Sequence, residues 1–353
     1  MIRDLDLSKE KAEVLGSRLK QWNLVKKGVR VTSARHRHEE LSSFYKMDGQ
    51  LCYCDNAHAL MTEMCGTSSY RPQDWRLFID SGKNTLKAVL LHNGNQFLSV
   101  PVAHAYGMNE SYETMKILLS AVNYGIYQWS ICADLKVIAL VLGLQTGHTK
   151  NMCFLCLWDS RADEKHYLQN VWPPRPSNTT GKFNCVHEQL VDPQKILLPP
   201  LHLKLGLVKT FIKAMNPANT GFQYLIRKFK NVVSEAKLRA GILNGLEIRS
   251  LIDDNEFLKV LTLKEKSAWL AFVDVARNFL GMHRAENYKD IVHRMLLSYC
   301  ALQVRMSLKI HFFTRTWTFF HQTWEISLMN MERGFTRKLR KWNLATEAVS
   351  AAT

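Results

Sequence analysis

Hydrophobic positions alternate, run and then space out along the chain in a definite order. Three strand-like runs come first, at residues 75–79, 86–92 and 97–104. Each is rich in Val, Ile, Leu and Phe and bounded by Gly, Asn or Ser. Residues 111–122 then place Met115, Leu118, Leu119 and Val122 at helical spacing. A fourth strand is predicted over 127–132 and runs into Asp134, and a helix over 136–145 follows. The predicted order is β-β-β-α-β-α. Upstream, Ser8 is placed to cap a helix over 9–22 with Ala12, Leu15, Leu19 and Trp22 on one face. Downstream, residues 159–184 form a polar loop holding Pro173, Pro174 and Pro176, read as a surface insertion. From 196 the spacing is helical. Pro199 and Pro200 open a helix whose Leu201, Leu205, Val208, Ile212 and Met215 share a face. Further helices are expected near 222–229, 234–240, 263–280 and 286–302, with core-type stripes such as Trp269, Phe272, Val273 and Ala276. The pattern divides the chain into a helical N-terminal region (1–70), an α/β core (71–160), a proline-containing loop (161–195), a helical domain (196–311) and a tail (312–353).

One aspartate, Asp80, closes the first strand, and a second, Asp134, closes the fourth. In a sheet of this order those two strands can lie side by side, bringing two carboxylates to one edge. Paired acids there suit hard divalent cations, Mg2+ or Mn2+, in phosphoryl transfer. This is the layout of a ribonuclease-H-like fold, an α/β class with a mixed sheet, here with a large helical insertion and C-terminal region and a small helical N-terminal part. Aspartate is also a common turn residue at strand ends, so spacing alone leaves both readings open.

Composition narrows the function classes. The 353 residues are 46% hydrophobic, as in a folded protein. No apolar run reaches the roughly 18 residues that span a bilayer, and the charged N-terminus lacks a secretory signal's apolar core. An intracellular and nuclear protein without a membrane partner is expected, with assembly into an oligomer left open. The net charge is +16, from 47 Lys+Arg against 31 Asp+Glu. Such a balance fits DNA held non-specifically on a basic surface, and equally a soluble surface of high isoelectric point. Lys26, Lys27 and Arg30, with Arg35 and Arg37, form a basic stretch suited to phosphates or to a solvated loop.

The cysteines add a metal question. Eight of them in an intracellular chain argue against a disulfide framework. Cys52 and Cys54 are too closely spaced for a zinc knuckle and are read as structural. Cys153-x-x-Cys156 is half of a Zn2+ site, with His166, His187, His202 and His311 as candidates for the other half.

Several phrases carry a resemblance. DWRLFIDS at 74–81, LKAVLLHNGN at 86–95, DLKVIALVLGLQ at 134–145, CFLCLWDSR at 153–161, LVDPQKILLPPLHLKLGLVK at 190–209 and NFLGMHRAENY at 278–288 are similar to a multicopy family of transposon-derived proteins from arthropod genomes. The similarity spans about residues 3–312. That family is read as cut-and-paste transposases with an Asp-Asp-Glu site. More distantly, the succession of two acids, a CxxC, a helical insertion and a His pair resembles the recombination-activating recombinase and its transposon relatives. The resemblance implies that Asp80 and Asp134 are the first two metal-binding acids. It implies that Cys153, Cys156 and His311 ligate zinc.

After Phe312 the chain departs from the pattern. Similar proteins continue with His-Leu-Asp-Phe-Phe-Pro and then Asp-Glu-His-Gly-Glu-Arg-Phe. Here the chain has Thr316-Trp317-Thr318-Phe319-Phe320-His321 and Met329-Asn330-Met331-Glu332-Arg333-Gly334-Phe335. Codons for either family stretch, read one base later, give the residues found here. A frameshift just after Phe312 accounts for both, and for a tail that holds Trp317, Trp324 and Trp342 without amphipathic order. The third acid is then lost, Glu332 is an out-of-frame coincidence, and His321 stands in as a zinc ligand only by chance. The sequence thus predicts a transposase-derived DNA-binding protein, ancestrally a metal-dependent strand-cleaving enzyme and now inactive. The alternative is a non-catalytic interaction or nucleic-acid-binding module that uses the α/β core as a scaffold.

Overall fold

The computed structural model describes residues 9–22, 24, 41–65 and 70–315, except 83, 95, 96, 98, 170, 177, 178, 282 and 283. Helix α1 (Lys9–Gln21) precedes a short hairpin, β1 (Lys46–Asp48) and β2 (Leu51–Tyr53), and helix α2 (Ala57–Cys65). Then come β3 (Trp75–Ser81), β4 (Thr85–His92), β5 (Val100–Tyr106), α3 (Tyr112–Ala121), the single turn α4 (Tyr124–Tyr127), β6 (Ser130–Ala133) and α5 (Leu135–Val141). After a long connection, β7 (Ile196–Leu197) completes a seven-stranded mixed sheet in the order β1-β2-β5-β4-β3-β6-β7.

Strands β3, β4 and β5 form an antiparallel meander, while β6 runs parallel to β3 and β7 parallel to β6. Strand β5 therefore also runs parallel to β3. The C-terminal ends of β3, β5, β6 and β7 all open at one edge. Side chains alternate between the two faces with a period of two. Leu77, Ile79, Ile131 and Ala133 enter the main core, together with Met115, Leu118 and Leu119 of α3 and Val137, Ile138 and Val141 of α5. Phe78, Val89, Leu91, Cys132 and Leu197 form a smaller cluster on the opposite face. Asp80 and Asp134 continue the phase of that second face.

The helical part follows: α6 (Pro200–Ala214), α7 (Thr220–Phe229), α8 (Glu235–Arg239), α9 (Gly245–Ile252), α10 (Asn255–Val260), α11 (Leu263–Asn278), α12 (Tyr288–Ala301) and α13 (Leu308–Arg315). Its centre is Trp269 of α11, with Phe211, Phe257 and Phe272 at 5.3, 5.2 and 5.1 Å between ring centroids. Burying one such indole contributes on the order of 3 kcal/mol. Tyr299 of α12, fully buried, donates its hydroxyl to Leu207 O at 3.2 Å and ties α12 to α6. Helix α13 packs on α6 and α12. Among the described residues, no helix is long and apolar enough to cross a membrane.

Five sequence expectations need correction. The region 1–70 is not purely helical, because β1 and β2 extend the sheet through antiparallel pairing of β2 with β5. The helical domain does not begin at 196, because Ile196 and Leu197 are sheet residues beside β6. The loop 161–195 is not a mere surface insertion. Trp172, Cys185 and Val191 are buried in the main core, as is Trp158 just before it. The expected strand 127–132 starts later, since Asn123 and Gln128 adopt left-handed conformations that turn the chain around α4. The helix expected over 136–145 stops at Val141. Gly143 there has φ +68°, and a Cβ on it would lie 2.2 Å from His187 O, so only glycine lets the chain pass. The basic residues 26–38, the tail from Thr316 onward and the candidates His321 and Glu332 lie outside the described residues.

Candidate functional sites: an acid edge and a thiol–imidazole cluster

The parallel register of β3 and β6 pairs Ile79 with Ala133, so the next residues, Asp80 and Asp134, stand side by side. Neighbouring strands lie about 4.8 Å apart. The two carboxylates thus share an edge and a face. Each keeps a different environment. Asp134 is the N-cap of α5, and its Oδ1 accepts from the Lys136 and Val137 amides at 2.9 and 2.8 Å. A backbone cap fixes this carboxylate and leaves Oδ2 for another partner. Asp80 is exposed as a residue, yet its carboxyl is raised above the usual range. Burial of its surroundings is the main cause; Lys87 opposes it and the Asp134 charge adds to it. Lys87 is cross-strand from Asp80 and pairs with His104 on its other side, so both share the acid-bearing face.

Two basic groups arrive from the helical part. His202 sits in the first turn of α6, and its imidazole is pushed down by burial and by Lys309, with Asp134 and Asp80 acting the other way. Lys309 of α13 is likewise pushed down by burial and by Lys209, with Asp134 opposing. Glu110, in the loop after β5, reaches the same edge and pairs with Lys136. Its other oxygen, Oε1, is buried without a hydrogen-bond partner among the described residues. Sequence reasoning missed Lys309 and Glu110, and it weighed His202 as a zinc ligand or as a plain helix residue beside Leu201 and Leu205. The two Asp oxygens are donors of the right kind for a hard cation. Among the described residues, no third His, Cys, Asp or Glu completes a set with them in which all donor atoms lie within 4.8 Å. The edge therefore fits one loosely held divalent ion better than two.

The second cluster matches the residues singled out in the sequence. Cys153, Cys156 and His311 are all buried, and their ligand atoms lie within 4.8 Å of one another. Cys156 Sγ is 3.2 Å from His311 Nε2. The Cys156 thiol is pushed down to about 4 by the Cys153 thiol and by His311, against the cost of burial. Cys153 moves the opposite way, raised by burial and by Cys156. The pair thus shares a proton, with Cys156 the thiolate. Around them, Trp158 stacks on His311 at 4.8 Å and 10°. Arg175 donates to Cys153 O at 2.9 Å, Asn151 O at 2.5 Å and Phe183 O at 2.7 Å, which fixes the turn that carries the thiols. Two thiols and one imidazole supply three of the four ligands of a tetrahedral zinc ion.

The other histidines are engaged elsewhere. His166 is buried behind Trp158, its Nε2–H donating to Asp159 O at 2.8 Å and its Nδ1 facing Asp163 at 3.4 Å. His187 is exposed and stacks on Tyr112 at 4.1 Å. His202 belongs to the acid edge.

Residues 33–191 match the family model of a domain of unknown function (DUF8703), and residues 200–281 match that of a second domain of unknown function (DUF8704). The break between them falls at β7 and the start of α6, where the sheet gives way to the helices. No curated protein and no solved structure gives a match to this chain.

Proposed function

We propose that this chain is a transposase-derived, nuclear, nucleic-acid-binding protein. On this reading its core is ribonuclease-H-like, Asp80 and Asp134 are the surviving acids of an ancestral strand-cleaving site, and Cys153, Cys156 and His311 hold a structural zinc ion. The observation that carries it is the parallel register of β3 and β6, which sets Asp80 and Asp134 together on one face of a sheet edge. Support also comes from the strand order β5-β4-β3-β6-β7, a meander followed by two parallel additions. The formal charge of +16 suits a polyanion such as DNA.

In the ancestral chemistry a divalent ion would polarise a phosphoryl oxygen and lower the pKa of its bound water. Asp80 and Asp134 Oδ2 would hold it. Asp134 is already oriented by its two amide hydrogen bonds, so it needs little reorganisation to bind a cation. Among the described residues no third carboxylate, Glu110 included, completes a close ligand set with these two, so the ion is held weakly and the cleaving step falls by orders of magnitude. The chain therefore keeps nucleic-acid binding and loses strand cleavage. A nicking and strand-transfer assay with Mg2+ or Mn2+ tests the second half. Robust cleavage that disappears in Asp80→Ala would overturn the inactivity. Salt-dependent retention on DNA tests the first half, and no retention at low salt would sink it.

A further inference from the structure

Helix α13 carries two informative side chains two residues apart, Lys309 and His311. Two residues along an α-helix is about 200° of rotation, so the two point to opposite sides. His311 turns to the thiols. Lys309 turns to α6, where a Cβ built on Gly206 would lie 2.1 Å from Lys309 Cδ and 3.1 Å from its Cβ and Cγ. The lysine stem thus lies directly on the α6 backbone, at a residue with no side chain to displace it. One turn earlier on the same face of α6 is His202. Lys309, His202 and Asp134 act on one another electrostatically.

Among the described residues, neither the Lys309 ammonium nor the His202 ring makes a hydrogen bond or a close ion pair. Both are half-buried. On the other side of the acids stands Lys87, cross-strand from Asp80. The two carboxylates are therefore matched by the ammonium groups of Lys87 and Lys309, with the His202 imidazole beside them, while the third acid at the edge, Glu110, is paired with Lys136. An edge with no surplus of negative charge is poorly suited to two divalent cations and well suited to a phosphodiester.

We propose that Lys309, with His202 beside it, contacts the nucleic-acid phosphate at the Asp80/Asp134 edge, and that its ammonium takes the place of one divalent cation there. The edge then binds a phosphate backbone together with at most one metal ion. This inference rests on the nucleic-acid reading above and adds the residue and the charge logic.

The test uses the full chain with a fluorescein-labelled DNA duplex, followed by anisotropy over a salt series, and Mn2+ binding followed by electron paramagnetic resonance without DNA. Removing the charge in Lys309→Gln should lower the slope of log affinity against log salt by about one. It should also tighten Mn2+ binding, by about tenfold, because a repelling cation is gone. Lys309→Arg should keep both values near the wild type. Gly206→Ala, which must displace the stem, should lower the salt slope as Lys309→Gln does. Circular dichroism and zinc content confirm that each variant is folded. An unchanged slope, or an unchanged or weakened Mn2+ affinity, in folded Lys309→Gln overturns the inference while leaving DNA binding intact. Failure of the wild type itself to bind DNA at low salt overturns the underlying reading instead.

Discussion

Stripping metal from the Cys153–Cys156–His311 cluster is expected to cost several kcal/mol of stability. The ligands come from distant parts of the chain: Cys156 and His311 are 155 residues apart. Closing a loop of that length restricts the unfolded chain by about 5 kcal/mol at 25 °C in the chain-entropy treatment. Ile310 and Phe312 already anchor α13 in the main core without the ion. The net loss is therefore expected at about 2–5 kcal/mol, a fall of roughly 3–7 °C in Tm for a chain of this size. The assay is thermal unfolding with and without a strong zinc chelator, with metal content measured by mass spectrometry. His311→Ala should abolish the chelator effect and lower the starting Tm. The metal-free protein should also respond to pH through the two thiols. The folded value of Cys156 is about 4 against an ordinary 9.0, so its contribution is present above 9 and is lost as pH falls towards 4. Cys153 is raised, so its contribution is present below 9.0 and is lost as pH climbs through its folded value. As far as this pair decides, the metal-free protein is most stable near pH 9. A protein that takes up no zinc from supplemented medium, and whose melting ignores the chelator, would refute the cluster as a metal site.

Three further changes probe the same structure. Arg175→Met removes the hydrogen bonds to Cys153 O, Asn151 O and Phe183 O and should weaken zinc binding by about 10–100-fold in a competitive chelator titration, with the three ligands themselves intact. Asp80→Asn should stabilise the protein at pH 7 by about 0.5 kcal/mol after discounting for its solvent access. The sign follows from its raised carboxyl pKa: the ionised form is disfavoured in the folded state, so the gain should vanish below about pH 4. Urea unfolding at both pH values reads it, and a loss at pH 7 would contradict the cost of burying the ionised Asp80 carboxylate beside Asp134. Thr262→Ala breaks the capping box in which Thr262 Oγ1 accepts from the Glu265 amide and Glu265 Oε2 accepts from the Thr262 amide at 2.9 Å. It should cost about 1–2 kcal/mol by urea unfolding, since Glu265 is buried and loses its hydroxyl partner too.

Local signals located much of this architecture. The three runs before Asn109 are β3, β4 and β5, shifted by no more than a few residues, and Ser111 is the cap of α3 as its residue type suggests. The helices from α6 to α12 that carry broad apolar stripes were legible for the same reason. Shorter elements were not. Strands β1, β2 and β7 span three residues or fewer, too few to establish a period of two. They exist because a neighbouring strand supplies the hydrogen bonds. Helices α9 and α10 are also brief, and their caps, Asn244 and Asp254, look like ordinary loop residues until their side chains are seen accepting backbone amides.

Residue type and spacing were enough to choose the chemistry: acids at two strand ends, a CxxC, and a histidine far downstream. Sequence cannot say which side chains meet when their separation is 155 residues, because that depends on how α13 returns to the thiol turn. Four histidines were eligible on composition alone, and packing selected His311 by stacking it on Trp158 while sending His202 to the acids. The charge state of the acid edge was decided the same way. Lys309 reads as an ordinary helix lysine in the chain. Only the close approach of α13 to Gly206 turns it towards Asp134, whose charge acts on its ammonium without a direct ion pair, in a half-buried place where that charge counts for more than it would in open water.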